Sequence, residues 1–414
     1  RCLMSAFTVT RLIGSGQVYT TLAAHEADAP ADYTTAEKSA AGTFLTASFI
    51  QNESLTFVGS GATGKFLDTD STGPGTGTYI AYAITTGNPA ASDVVTGGTS
   101  AATCVLSSGT PTNVGCVWQG KINAATDAFS GSTNLLTIAG GTTSSTAYFE
   151  LTTNTGASFR DNANVQTNAL RWNSSNGCSI TSTAGSAKTV SDSQNYTRLS
   201  NLQIQLINIG SNQPALNTTG SNILWENLIV ENATAAAVAW YYATSAIVIK
   251  NSLFIQRSSN IVGITKNPDK LGVGNNNIYN CTFVVPNDLT AAGNCFNSNG
   301  YETINTFACN FFGVSAIKDA GTFTHTSGFS NLSGTTGITQ ATYNTAQFVN
   351  ITDSTRDYRL PSGSAMIDTY TADTTNSPID IAGTTRPTGA NQADAGCWEF
   401  VAAATDTLFA QICM

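Results

Sequence analysis

Between Tyr196 and Ser330 the apolar and polar positions fall into five segments that align on one another. They are Leu199-Ser200-Asn201-Leu202-Gln203-Ile204, Trp225-Glu226-Asn227-Leu228-Ile229-Val230, Ile249-Lys250-Asn251-Ser252-Leu253-Phe254, Ile278-Tyr279-Asn280-Cys281-Thr282-Phe283 and Thr306-Phe307-Ala308-Cys309-Asn310-Phe311. The shared column at positions 201, 227, 251, 280 and 308 advances by 26, 24, 29 and 28 residues. Two residues before it stand Leu199, Trp225, Ile249 and Ile278, and three after it Ile204, Val230, Phe254, Phe283 and Phe311. That is the alternation of a strand with one buried face. The parity breaks at the column, because the next position also reads inward, with Leu202, Leu228, Ser252, Cys281 and Cys309. Such a break needs unusual backbone angles, and Asn enters the left-handed region more readily than most residues. The pattern predicts an all-β chain whose middle is a right-handed parallel β-helix, a solenoid with Asn201, Asn227, Asn251 and Asn280 stacked at one bend. An antiparallel sandwich with Asn-rich turns is the alternative, and it predicts no aligned Asn column.

The columns carry further expectations. Stacked Asn amides can bond to one another up the stack. Glu226 and Lys250 should lie side by side on the outside, about 4.8 Å apart, as an exposed ion pair worth under about 1 kcal/mol. Cys281 and Cys309 should stack inward as buried free thiols acting as small hydrophobes, with a bridge between them as the alternative.

The flanks read differently. Ile13 to Leu22 is a strand, a Gly14-Ser15-Gly16 turn of hairpin type and a helix start. Ala23 to Ala29 is a short helix closed by Pro30, and Thr34-x-x-Glu37 matches a capping box for a second one. From Gly59 to Ser108 Gly, Thr and Ser dominate, and short strands are predicted at Lys65–Leu67, Thr78–Ile84, Asp93–Thr96 and Ala102–Leu106. This stretch reads as an inserted β-module, or alternatively as a long strand-containing loop. Around Ala147 to Trp172 the first coils begin. The expected organisation is therefore an N-terminal strand and helix cap over 1–58, the small module over 59–108, the solenoid over 109–335 and a C-terminal capping segment over 336–414.

Composition narrows the function classes. Charged residues are 10% of 414, against roughly 25% in an average soluble domain. Thr, Ser, Asn and Gly take their place, which suits sheet surfaces and turns. The net charge of −9 and the lack of a basic run argue against nucleic acid as a partner, and no apolar run approaches a membrane span. Arg1-Cys2-Leu3-Met4 lacks the apolar stretch of a signal peptide, and Met4 reads as a natural start. Nine cysteines with no Cys-x-x-Cys, and only His25 and His325, argue against a zinc site. Asn-x-Ser/Thr triplets read as chance in a chain this rich in both residue types.

The end of the chain carries a resemblance. Asp357-Tyr358-Arg359-Leu360 through Asp368, Asp380-Ile381-Ala382-Gly383-Thr384-Thr385-Arg386-Pro387 and Asp394-Ala395-Gly396-Cys397-Trp398-Glu399 resemble the closing segment of many extracellular and phage β-helix proteins. Ala365-Met366 and Cys397 depart from that pattern. The module pieces Gly61-Ala62-Thr63-Gly64 and Val95 to Thr103, and the lead-in Gly14 to Leu22, resemble parts of tailed-phage virion proteins. The resemblance implies a structural component of a phage particle, assembled in the bacterial cytoplasm and self-associating. The first expectation is a capsid-surface decoration or cement protein docked on other virion proteins, the major capsid protein foremost. A tail fibre or tailspike that binds, and in some cases cleaves, host surface glycan is the alternative, and a secreted adhesin is the third. Little chain follows the closing segment, at Leu408 to Met414, which favours the first.

No chemistry is expected. Sugar cleavage needs two carboxylates on one face, or a calcium cluster with a base. The repeat region holds only Glu226, Glu231, Asp269, Asp288, Glu302 and Asp319 as acids, and no two share a column. Glu226 and Glu231 flank the bend and read as solvated, as does Asp269 with Lys266 and Lys270 in a loop. His325 reads as a surface or turn residue. Asp368, Arg386 and Asp394, with Arg359 and Glu399, are expected to satisfy one another over the last coil. A metal reading of Asp368, Asp380 and Asp394 is the weaker alternative. No cofactor is expected.

Overall fold

A computed structural model describes residues 6–401. Outside the described residues are 1–5, 45–47, 70–78, 108–111, 163–168, 184–187, 208–213, 234–240, 244–246, 258–263, 266–274, 287–293, 298–302, 315, 319–321, 334, 353–354, 374, 389–391 and 402–414. The chain is mostly β, and its largest sheet has 16 strands. Every pairing in that sheet is parallel. It contains two ladders joined through Thr303–Phe312, which runs from one into the other. A seven-stranded parallel sheet, from Leu136–Ile138 to Ala316–Lys318, forms a third ladder. The chain visits the three in turn and then starts again. Strands Ile223–Glu226 and Ile229–Asn232, for example, pair with Ile247–Lys250 and Leu253–Gln256.

The predicted columns are register columns. Leu199, Trp225, Ile249, Ile278 and Thr306 are successive partners in the first ladder. Ile204, Val230, Phe254, Phe283 and Phe311 are successive partners in the second. Between the ladders Asn201, Asn227, Asn251, Asn280 and Ala308 take φ of 61°, 53°, 47°, 52° and 50°. This left-handed bend turns the next side chain inward, so Leu202, Leu228, Cys281 and Cys309 join the same buried interior. There Phe254, Phe283 and Phe311 stack with centroids 4.9 and 5.3 Å apart and rings within 8° of parallel. Each buried Phe contributes about 1.5–3 kcal/mol.

The stack is longer than the repeat in the sequence. Phe7–Ile13 pairs in parallel with Cys116–Ile122, which pairs with Phe149–Thr153. The helix Leu22–Ala27, capped by the Thr21 hydroxyl accepting from the Ala24 amide at 3.1 Å, lays Leu22 and His25 into the core beside Trp118. The Gly14-Ser15-Gly16 turn is not a hairpin, because Ile13 bridges Tyr19 in the parallel sense. Gly14, at φ 140°, leaves no room for a Cβ, which would meet the Asp127 carboxylate. The second helix expected from Thr34-x-x-Glu37 is not formed. Asp32 accepts from the Thr34 amide, one 3-10 turn follows at Tyr33–Thr35, and Ala36–Phe44 continues as a strand. A cap offers about 1 kcal/mol, less than this strand gains by pairing antiparallel with three others.

That strand belongs to an antiparallel sheet of seven strands, which begins at Ala36 rather than near residue 59 and ends at Asn113. Leu55, Phe57, Phe66, Ile80, Tyr82 and Val95 give it its own core. The strands expected at Lys65–Leu67, Thr78–Ile84, Asp93–Thr96 and Ala102–Leu106 correspond to Thr63–Thr69, Tyr79–Thr86, Val94–Gly97 and Thr103–Leu106.

The second ladder is buried on both faces. Its outward side chains Ile229, Leu253, Ile255, Val284 and Phe312 form a separate cluster with Phe348, Tyr358, Leu360, Met366 and Ile381 of the closing segment. This segment covers the flank and not only the last coil. It is bonded from Leu170, whose carbonyl accepts from the Tyr358 amide at 3.1 Å, to Asn310, whose amide donates to the Ala395 carbonyl at 2.8 Å. An apolar outer face needs such a cover, as in parallel sheets generally.

Candidate functional site

The Asn column holds two kinds of bond. Asn227 Nδ2 donates to Asn201 Oδ1 at 3.2 Å, the amide-to-amide link expected of the stack. Higher up, the closing segment takes over. Ser377 donates to Asn251 Oδ1 at 2.6 Å, and Asn280 Nδ2 donates to the Tyr370 hydroxyl. At the fifth position Ala308 packs against Tyr370 and Ala393, and its carbonyl accepts from the Gly396 amide at 2.8 Å. The continuous amide ladder is thus replaced by docking, because Ser377 and Tyr370 reach the bend first. Cys281 and Cys309 are buried free thiols, and the Cys281 amide donates to Cys309 Sγ at 3.5 Å. The side chains of Cys2, Cys295 and Cys413 lie outside the described residues. Glu226 and Lys250 are register partners, but no ion pair closes between them; Glu226 lies instead in the field of Arg160.

Arg386 is the hub of the closing segment. It is 1% exposed and donates to Glu399 Oε2 at 2.8 Å and to the carbonyls of Asp394 and Gly396 at 2.9 Å. Asp394 accepts from the amides of Asp368 and Phe400, and Asp380 from those of Ala382, Thr384 and Glu399. Burial raises Asp394 to about 6 and Glu399 to about 7, against the pull of Arg386. Two expected members act otherwise. Asp368 is exposed and contributes its backbone amide, at φ 52°, and Arg359 pairs with Asp357. Every bond here ties one part of the segment to another.

Glu231 departs most from the sequence reading. It is not solvated but 7% exposed, on the outer face of the second ladder beneath the closing segment. Gln205, its register partner one circuit earlier, donates Nε2 to Glu231 Oε1 at 2.9 Å, and Arg257 Nη1 lies 3.7 Å away. Burial pushes its carboxyl above the usual range, while Gln205, Arg257 and Arg356 pull it down. Beside it opens a cavity of about 370 Å³. Gln205, Glu231 and Ile255 form its floor. Arg171, Trp172 and Asn173 form one wall, Arg356 and Tyr358 of the closing segment another, and Arg257 stands at the strand end. Two of the residues around it hold a buried polar atom with no hydrogen-bond partner, Gln205 Oε1 and Trp172 Nε1. A signal for the covered face was present in the sequence: the column Gln205, Glu231, Ile255, Val284, Phe312 turns apolar on a side expected to meet water.

Asp269, Asp288, Glu302, Asp319, Lys266 and Lys270 lie outside the described residues. His25 is fully buried, stacked on Trp118 at 5.3 Å, and held neutral by burial, with its value lowered to about 3. His325 is not in a turn. It sits half-buried on strand Thr322–Ser330, bonded to Thr306 and edge-on to Phe311. Among the described residues no cluster of three His, Cys, Asp or Glu could hold a metal ion, and no helix is long and apolar enough to cross a membrane. Comparisons with family models, curated proteins and solved structures gave no match to this chain.

Proposed function

We propose that the three parallel ladders are the faces of a right-handed parallel β-helix, and that the chain is a structural component of a tailed-phage particle, a decoration or cement protein on the capsid surface. The observation that carries this reading is the parallel stack with its closing segment bonded along one flank from Leu170 to Asn310. This gives a stiff body whose buried acids Asp192, Asp380, Asp394 and Glu399 make internal bonds. The resemblance of the lead-in, module and closing segment to phage virion proteins supplies the particle. Localising the chain in intact particles by electron cryomicroscopy tests it. Copies spread over the icosahedral lattice are expected, and three copies at a tail tip would overturn the capsid assignment. At side-chain resolution the same map tests the handedness of the coils.

One observation favours a second reading, a tail fibre or tailspike that binds host surface glycan. It is the cavity of about 370 Å³ beside Glu231, with Arg171, Trp172, Arg257 and Arg356 on its lining. Binding without cleavage is expected, because glycoside hydrolysis needs a second carboxylate and none lines this cavity. A reducing-end assay on host polysaccharide should stay at background.

A further inference from the structure

We propose that Asp394 to Glu399 is a latch of the closing segment, held on the second ladder by a retained proton and released from it when that proton leaves. The first argument is where these residues bond. Arg386 holds the carbonyls of Asp394 and Gly396. The residues beside those carbonyls are the ones that dock. The Ala395 carbonyl accepts from Asn310 Nδ2 at 2.8 Å, and the Gly396 amide donates to the Ala308 carbonyl at 2.8 Å. The Cys397 amide donates to Thr282 Oγ1 at 3.2 Å. Ala395 and Cys397 also pack in one cluster with Leu253, Val284 and Phe312 of the outer face. The charged cluster and the docked stretch thus share one short length of chain, and its release bares apolar surface of the second ladder.

Charge gives the second argument. Asp380, Arg386, Asp394 and Glu399 are each at most 4% exposed. The Asp394 amide donates to Glu399 Oε2 at 3.1 Å, and the Glu399 amide donates to Asp380 Oδ2 at 2.9 Å. The carboxyls of Asp380, Asp394 and Glu399 therefore gather around one bonded guanidinium, and full ionisation leaves negative charge in excess. Crowded, buried carboxyls keep a proton. Glu399 Oε1 is the place for it, because both bonds to this carboxyl fall on Oε2. Asp368, Tyr370 and Cys397 face the cluster from the segment, with Cys309 beyond Tyr370, and none of these is a cation. Arg160, on Phe159–Asn162, feels Asp380, but its guanidinium is bonded to Asn201 Oδ1 at 2.7 Å. Burial raises Asp394 to about 6 and Glu399 to about 7. In a released latch both return to the ordinary carboxyl range near about 4. The docked form binds the proton more tightly, so docking weakens as pH rises through about 6 to 7.

The latch rests on neither the particle reading nor the glycan reading. Cys397 reports on it, a free thiol 1% exposed within the latch. The full chain is treated with a disulfide-type thiol reagent at about pH 6 and about pH 8.5, and the labelled sites are located by peptide mass mapping. Each rate is divided by that of the same thiol in the unfolded chain at the same pH, which removes the dependence on thiolate. Protection of Cys397 should fall at least about tenfold between the two conditions, while Cys281 and Cys309, inside the coils, keep theirs. Glu399→Gln holds this position neutral, and should keep Cys397 at about pH 8.5 within about threefold of the unmodified chain at about pH 6. Cys397 protection independent of pH, a fall shared equally by Cys281 and Cys309, or a folded Glu399→Gln variant that loses protection as the unmodified chain does would each overturn the proposal. The pH comparison on the unmodified chain decides the matter even where the variant does not fold.

Discussion

Replacing Arg386 with Met tests how the closing segment is held. The guanidinium is buried and makes three bonds, to Glu399 and to the carbonyls of Asp394 and Gly396. Met keeps much of the volume and removes the charge and every donor. Removing one member of a buried pair costs about 3–5 kcal/mol, because the other charge is left uncompensated. The expected loss is therefore about 3–5 kcal/mol by denaturant titration. Hydrogen exchange should rise first over Met366 to Glu399 and last over Leu253–Gln256. The sign with pH follows from the carboxyls. Glu399 titrates near 7 and Asp394 near 6 in the folded chain, above their unfolded values. Such groups favour folding fully below the unfolded value, and that contribution is lost as pH rises through the folded one. The loss in Arg386→Met should be largest above about pH 7 and shrink toward about pH 5. Adding Glu399→Gln removes the stranded charge, so the double variant should recover at least about 1 kcal/mol relative to additivity. A single-variant loss below about 1 kcal/mol, or a strictly additive double variant, would refute the reasoning.

Other consequences can be checked directly. Phe283→Ala empties the middle of the Phe254–Phe283–Phe311 stack, a fully buried position, and should cost about 3–5 kcal/mol in chemical denaturation. Asp192 is 1% exposed, and burial raises its carboxyl to about 7, so it favours folding below its unfolded value and loses that contribution as pH rises through about 7. Asp192→Asn should flatten this part of the melting-temperature profile and raise the melting point at about pH 8. The thiols of Cys281 and Cys309 are free and fully buried, and burial raises Cys281 well above its ordinary value. A thiol reagent at about pH 8 should label neither before denaturant is added, and rapid native labelling located by peptide mass mapping would contradict their packing.

The bend columns were legible in the sequence because they are set within a few residues. Asn201, Asn227, Asn251 and Asn280 announce a left-handed residue, and the inward parity break beside them survives any detail of packing. The spacing of 24 to 29 residues then fixes which strands can be neighbours. Ala308 shows the limit of the residue signal: it takes φ 50° with no Asn side chain, because the paired strands on either side impose the bend. What lies over the second ladder was not legible. Period-two alternation separates two faces, and the apolar turn of the outer column signals a cover without saying which part of the chain supplies it. Ile229, Leu253, Ile255, Val284 and Phe312 needed a cover, and only the fold supplied Tyr358, Met366 and Ile381 from far along the chain. The same contact decided the fate of Glu231. As a letter in a sequence it is a surface acid; under Tyr358 and beside Gln205 and Arg257 it becomes a buried carboxyl at the floor of a cavity. Local backbone preference determined the bend, and long-range burial of apolar surface decided where a site could form.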